Sequence, residues 1–280
     1  MKLVRYGNAG AEKPGLIDSD GTIRDLSAHV KDFAGDALLP ANIKTLAALD
    51  PKSLPAVAAG TRLGSCVPKP GNFIAVGLNF ADHAAETNNP IPAEPILFNK
   101  APNSIQGPDD DVIIPPGSLK TDWEVELAFV IGQPGYRISE ADAANHIAGY
   151  FICNDVSERA YQIERSGQWM KGKSLPTFGP VGPWLVTPDE AGDVQNLKMW
   201  LKLNDQYVQN GSSKTMIFNC QFLVHYISQF MHLDAGDIIT TGTPPGVGLG
   251  MKPPLFLKGG DTMEVGIEGL GVQRQHVKQA

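Results

Sequence analysis

The chain has no cysteines close enough together to suggest a staple or a thiolate metal cage. Its three, Cys66, Cys153 and Cys220, are widely spaced and none belongs to a C-x-x-C pair. That argues against a disulfide framework or a cysteine-rich zinc site and leaves buried free thiols as the expectation. No apolar run approaches the ~20 residues that span a bilayer. The opening MKLVRYGNAGAEKPG lacks the apolar stretch of a signal peptide, so a cytoplasmic protein is expected. Positive charge is in the minority, 23 Lys and Arg against 30 Asp and Glu. A net charge of −7 makes nucleic acid and anionic membrane poor partners. Also missing are a G-x-S-x-G nucleophile elbow, a G-x-x-x-x-G-K-[ST] phosphate loop and a dinucleotide-binding G-x-G-x-x-G between strand and helix.

What remains is an ordinary globular composition, 42% hydrophobic and 19% charged over 280 residues. That length suits one large domain or a small domain plus a main one. The 30 glycines and 22 prolines are spread along the chain, which points to many turns and short strands. Strands are predicted at 2–6, 15–17 and 22–25, the last two joined by a turn containing Asp20-Gly21, a strong hairpin signal. A helical stretch follows near 43–48. Residues 51–70 read as a connector, which places a boundary near Pro70 between a small N-terminal β-rich domain (1–70) and a main domain (71–280). In the main domain strands are predicted at 73–77, 96–99, 112–114, 125–131, 149–154, 184–186, 200–203, 238–241 and 262–267. Helices are predicted at 79–86, 140–146 and 222–231, the last with a packed stripe of Phe222, Leu223, Tyr226, Ile227 and Phe230. The sum is an α+β, mostly β protein with a rolled or barrel-like mixed sheet.

The segment Asp122-Trp-Glu-Val-Glu-Leu-Ala-Phe-Val-Ile131 carries the most chemistry. Strand alternation puts Trp123, Val125, Leu127 and Phe129 on one face and Glu124, Glu126, Ala128 and Val130 on the other. The second face begins with two carboxylates about 7 Å apart at their α-carbons and ends apolar. The pattern by itself also allows a half-exposed strand whose glutamates face water. Asp155 shifts the weight, because it closes another apolar run, Gly149-Tyr-Phe-Ile-Cys-Asn-Asp155. Unpaired buried carboxylates cost several kcal/mol, and a cation between them removes the penalty. Three oxygen ligands without Cys or paired His suit a hard ion such as Mg²⁺ or Mn²⁺ better than zinc. His83 and Glu86 stand three apart on a predicted helix and can touch. A carboxylate beside an imidazole is an arrangement that activates water. An exposed helical pair would show the same spacing. Lys100, Arg159 and Gln162 are further candidates for substrate contact, and His225 and His232 read as structural.

On these residues the chain resembles the fumarylacetoacetate hydrolase superfamily, from about residue 72 to the C-terminus. The segments that carry the resemblance are Gly77-Leu-Asn-Phe-Ala-Asp-His83, Asp122-Trp-Glu-Val-Glu126 with Val130-Ile-Gly132, Asn154-Asp-Val-Ser-Glu-Arg159, Gly179-Pro-Val-Gly-Pro-Trp184 and Gly236-Asp-Ile-Ile-Thr-Thr-Gly-Thr-Pro-Pro-Gly-Val-Gly248. The resemblance implies a mostly β catalytic roll, usually dimeric, with Mg²⁺, Mn²⁺ or occasionally Ca²⁺ at Glu124, Glu126 and Asp155. It implies that His83 and Glu86 are the water-activating dyad, on a segment that Asn88, Asn89 and the following prolines would hinge. It also implies that Lys173 and Thr243 meet the substrate, although Pro176 stands where the family often has Asp. The implied activity is on 2-oxo and 2,4-dioxo acids. The expected reaction is hydrolysis of a carbon–carbon bond, with 2,4-diketo-3-deoxy-L-rhamnonate or L-fuconate as substrate and pyruvate and lactate as products. The rivals are oxaloacetate decarboxylation, isomerisation of a hydroxymuconate-type acid, ureidoglycolate lyase activity, and a silent ligand-binding protein.

Overall fold

The computed structural model describes residues 1–86 and 89–280. Asn88, one of the expected hinge positions, lies outside the described residues. The N-terminal stretch forms β1 (Lys2–Tyr6), β2 (Lys13–Ile17), β3 (Ile23–Asp25) and the helix α1 (Pro40–Ala47). Then come β4 (Phe73–Gly77), α2 (Ala81–Glu86), β5 (Ile96–Lys100), β6 (Ile105–Gln106), β7 (Val112–Ile114), β8 (Thr121–Asp122) and β9 (Val125–Ile131). The middle of the chain holds β10 (Ile147–Asn154), β11 (Ser157–Glu158), α3 (Arg159–Ile163), α4 (Met170–Lys173) and β12 (Gly179–Val186). The rest is α5 (Pro188–Ala191), β13 (Lys198–Leu203), β14 (Gln206–Ser212), α6 (Cys220–Ser228), β15 (Ile238–Thr240), β16 (Thr262–Ile267) and β17 (Gly271–Gln279).

Strands dominate, as the dense turn signals predicted. The main sheet has ten strands, nine of them in the order β3-β2-β1-β12-β10-β9-β15-β4-β5, with β6 paired beside β12. It is mixed: β15 runs parallel to β4 and antiparallel to β9. Its path ends at β3 and β5 without joining them, so the expected roll does not close into a barrel. A second sheet has its own strand pairing, in the order β14-β13-β16-β17-β7.

The alternation in β9 explains the layering. Its odd-numbered residues Val125, Leu127, Phe129 and Ile131 enter a core shared with Met199, Leu201, Met263 and Val265 of the second sheet. Ala128 and Val130 enter a different core with Leu3, Leu16, Leu26, Phe33 and Leu46 of the N-terminal stretch. The strand is therefore buried on both faces, and burial of its large side chains contributes roughly 1.5–3 kcal/mol each. The N-terminal strands join the same main sheet, Leu3 of β1 pairing with Leu185 of β12.

Two predicted helices differ in form. Residues 140–146 contract to a 3₁₀ turn, Ala143–His146. The helix expected over 222–231 begins two residues earlier, where the Asn219 side chain accepts the Phe222 N–H at 2.8 Å and caps the first turn. The three cysteines are buried and free, as expected. No helix among the described residues is long and apolar enough to cross a membrane.

Candidate metal and substrate site

Register brings the acidic residues together. β9 and β10 run antiparallel with Cys153 opposite Glu126, and directly opposed side chains share a face. Asp155 lies two residues past Cys153, so it falls on the side of Glu124 and Glu126. The Asp155 N–H donates to the Glu124 carbonyl at 2.9 Å, which locks the two segments. One carboxylate oxygen from each residue lies within 4.8 Å of the other two. Glu124 is 6% exposed and Glu126 2%, so the half-exposed strand with water-facing glutamates is excluded.

Three cations surround the cluster. The Lys173 ammonium, at the end of α4, donates to Glu124 Oε2 at 2.6 Å and Asp155 Oδ2 at 2.7 Å. Pro176 does not displace it; Thr177, next along, takes a positive φ and accepts the Ile113 N–H. Arg159 opens α3 and reaches Glu124 Oε1 at 2.7 Å. Lys100 donates to Asp155 Oδ1 at 2.5 Å and to the Lys173 carbonyl.

Glu126 is treated differently. Among the described residues it has no ion pair, and its Oε2 accepts the Thr240 hydroxyl at 2.5 Å and the Gly242 N–H at 2.8 Å. Gly242 has φ +91°, and a side chain there would meet the Val76 carbonyl at 3.1 Å, so glycine lets the backbone reach the carboxylate. Burial, reinforced by the charges of Asp155 and Glu124, pushes the Glu126 carboxyl well above the usual carboxylate range. Glu124 goes the other way: burial opposes its ionisation, but Lys173 and Arg159 outweigh that and hold it well below the usual range. The Lys173 ammonium is likewise held on, since Asp155 and Glu124 overcome its burial. This donor set fits a hard divalent ion. It offers three buried carboxylate oxygens close together, and Glu126 among them has no ion pair among the described residues.

The dyad sits across the same cavity. On α2, His83 Nδ1 lies 3.0 Å from Glu86 Oε2, and Glu86 Oε1 accepts the Gly246 N–H at 2.9 Å. The cavity is about 660 Å³, and His83, Glu86, Glu124, Glu126, Arg159, Gln162, Lys173 and Thr243 all line it. Leu78, Phe98, Ile163, Trp169, Leu249 and Met251 give it an apolar side. The Thr243 hydroxyl donates to the Val125 carbonyl and accepts the Gln209 amide, both at 2.8 Å. Lys100 does not reach the wall. Its fully buried ammonium belongs to Asp155, so it stands one layer back from the substrate contact expected of it. His225, bonded to the Ile138 carbonyl, and His232, paired with Asp234, lie away from the cavity.

Residues 72–278 match the family described as fumarylacetoacetate (FAA) hydrolase C-terminal. The chain belongs to that family. A Burkholderia multivorans protein described only as a candidate hydrolase is 56% identical, with all of both chains covered. Among solved structures, a fumarylacetoacetate hydrolase from the psychrophile Exiguobacterium antarcticum is 37% identical with a TM-score of 0.87, again over all of both chains. A 5-carboxymethyl-2-hydroxymuconate delta-isomerase from Mycobacterium smegmatis is 31% identical with a TM-score of 0.79, covering 100% of this chain and 99% of that one. The family's relatives thus include both hydrolases and isomerases by description.

Sequence reasoning assigned no role to Asp122. It opens the acidic motif, but only the structure shows that its carboxylate accepts backbone N–H groups of the glycine-rich loop as well as Arg159. Trp169 was missed too. It packs on Gly77 so closely that a side chain there would come within 2.3 Å of its ring.

Proposed function

We propose that the protein hydrolyses a carbon–carbon bond in a 2,4-dioxo acid of the acylpyruvate type. One observation carries this reading: a His–Glu dyad, two carboxylates of a buried triad (Glu124 and Glu126, with Asp155 behind them) and a guanidinium whose Nη2 has no hydrogen-bond partner among the described residues all meet at one cavity. Glu124, Glu126 and Asp155 would hold Mg²⁺ or Mn²⁺, which when bound supplies Lewis acidity toward the substrate's oxygens. Glu86 accepts the Nδ1 proton of His83 and leaves Nε2 as the basic nitrogen. That nitrogen takes a proton from a water as the water's oxygen attacks the C4 carbonyl. The C3–C4 bond then breaks, its electron pair forms the enolate of pyruvate, and the acyl carbon leaves as a carboxylic acid. Return of the proton to C3 completes pyruvate. Arg159 receives the C1 carboxylate, with Gln162 beside it, and Lys173 and Thr243 line the path of the oxo groups. The apolar side takes the acyl substituent.

Lys100 acts in this reading by holding Asp155. The catalytic unit is 71–280, since every lining residue falls between Val76 and Pro254. A homodimer in the cytoplasm goes with the same reading.

A panel of 2,4-dioxo acids with Mg²⁺ or Mn²⁺ tests the proposal, following loss of enol absorbance and formation of pyruvate. The first substrates to assay are 2,4-diketo-3-deoxy-L-rhamnonate and L-fuconate, which would yield pyruvate and lactate. Isomerisation is the second reading, favoured by the likeness to the hydroxymuconate isomerase. Absorbance change without pyruvate would establish it in place of hydrolysis. Carbon dioxide from oxaloacetate, or glyoxylate from ureidoglycolate, would point instead to a decarboxylase or a lyase.

A further inference from the structure

The Asp122 carboxylate is fully buried and carries four hydrogen bonds. Oδ1 accepts the N–H groups of Trp123 at 2.8 Å and Gly248 at 2.7 Å. Oδ2 accepts Arg159 Nε at 2.8 Å and the Leu249 N–H at 2.9 Å. A carboxylate has about four lone-pair sites, so Asp122 has none left for a metal or a substrate.

What it holds is informative. Strand pairing sets Asp122 opposite Ser157, which brings Arg159 alongside. The guanidinium is then pinned at two corners, Nε on Asp122 and Nη1 on Glu124 Oε1 and Gln162 Oε1. A planar fork fixed at two corners has its third direction set. That third corner, Nη2, is buried and, among the described residues, without a hydrogen-bond partner, on a residue that lines the cavity. An unpaired buried donor is costly, and the anion that would satisfy it is the missing part of the arrangement. Besides its neighbour Trp123, the other two donors to Asp122 lie in the glycine-rich loop. That loop supplies Val247, Leu249, Gly250 and Met251 to the cavity wall, and its Gly246 N–H holds the dyad residue Glu86. Gly248 must be glycine, because a side chain would sit 1.9 Å from the Leu255 carbonyl and 2.8 Å from Asp122.

We propose that Asp122 is a positioning residue that locks Arg159 and the 246–251 loop into one unit, aiming Nη2 at the carboxylate of the substrate. This rests on the proposed role of Arg159 in receiving the C1 carboxylate. Asp122→Asn keeps the shape but presents an amide N–H₂ where Arg159 Nε or the loop N–H groups need an acceptor.

The test compares an acylpyruvate with its C1 methyl ester on the Mg²⁺-loaded enzyme. In Asp122→Asn, KM for the acid should rise about 10–100-fold, the size of one lost charge-assisted hydrogen bond. kcat should change much less, and the preference for acid over ester should collapse. Mg²⁺ affinity, measured by calorimetry, should stay as in the native protein. Arg159→Lys should lose the same preference, and the double variant should lose no more than either single one. An acid-to-ester preference that survives in Asp122→Asn, or losses that multiply in the double variant, would overturn the proposal. If Asp122→Asn does not fold, Arg159→Lys decides alone: an undiminished preference sinks the idea. If the native enzyme cleaves no dioxo acid, the hydrolase reading fails. Calorimetric binding of pyruvate against methyl pyruvate, native against variant, then decides the role of Asp122 by the same comparison.

Discussion

The protein holds two networks of paired opposite charges, one half-buried and one fully buried, and they are finished to different degrees. In the N-terminal network, Arg5 grips Asp32 through Nε and Nη2 and the Ser65 carbonyl through Nη1. Arg62 likewise uses Nε and Nη2 on Asp110 and Nη1 on Glu12 and the Gly7 carbonyl. Every guanidinium nitrogen has an acceptor. Among the described residues of the cavity network, Arg159 Nη2 has none and Glu126 has no cation, although Glu124 has two. Complete satisfaction is what a structural network needs, because an unpaired buried charge or donor costs stability. An incomplete network persists where a ligand completes it, and the open corners here are one cationic and one anionic. A substrate anion and a divalent cation would close both.

The largest effect should come from the dyad, which belongs to the unfinished side. His83→Ala should lower kcat about 10²–10⁴-fold, the range for loss of a general base. Calorimetric Mg²⁺ binding should be unchanged, and its loss would contradict the separation of dyad from triad.

Next is a contrast inside the cavity network. Glu126→Gln should weaken Mg²⁺ or Mn²⁺ binding by more than the ~10–100-fold typical of a residue that merely supports a ligand. It should leave the cation-free fold as stable as before, because Glu126 has no ion pair among the described residues to lose and its burial opposes ionisation. Glu124→Gln, by contrast, takes one of two carboxylate partners from both Lys173 and Arg159 and should cost about 1.5–3 kcal/mol in urea unfolding. Equal stability losses for the two variants would erase the distinction between paired and unpaired carboxylates.

On the finished side, Arg62→Met should cost about 1–3 kcal/mol of stability, as expected for lost charged hydrogen bonds. It should leave kcat/KM unaltered, and a change in turnover would mean that the N-terminal network is not purely structural.

The smallest effect is on pH. The Glu126 carboxyl titrates above its ordinary 4.5 in the folded protein, so between those two values the folded state binds the extra proton. Stability of the cation-free protein should therefore fall as pH rises through that window, by no more than about 1.4 kcal/mol per unit. Glu126→Gln should remove that slope, and saturating Mg²⁺ should suppress it. A slope that survives the substitution would assign it to another group.

Much of this arrangement was legible in the sequence wherever period-2 alternation was strong. In 122–131 it sorted Trp123, Val125, Leu127 and Phe129 from Glu124, Glu126, Ala128 and Val130, and the two cores divide along that line. Alternation failed where amides replace apolar groups. β17 was not predicted because its inward residues include Gln273 and Gln275, which are fully buried. They are tolerated because Gln273 donates to the carbonyls of Ile152 and Gly182 and Gln275 to that of Pro108. Those acceptors lie far away in sequence, so no local pattern could reveal them.

By itself, then, the order of residues determined the strands whose apolar alternation is strong, their faces, and which acids, bases and glycines the chain possesses. These follow from side-chain direction and backbone freedom, which are local. Only the tertiary structure decided who is paired with whom. It gave Lys100 to Asp155, left Glu126 without a cation among the described residues, and turned Asp122 into the anchor of Arg159 and of a loop 126 residues downstream. Charge interactions depend on distance and burial in space, and neither can be read from separation along the chain.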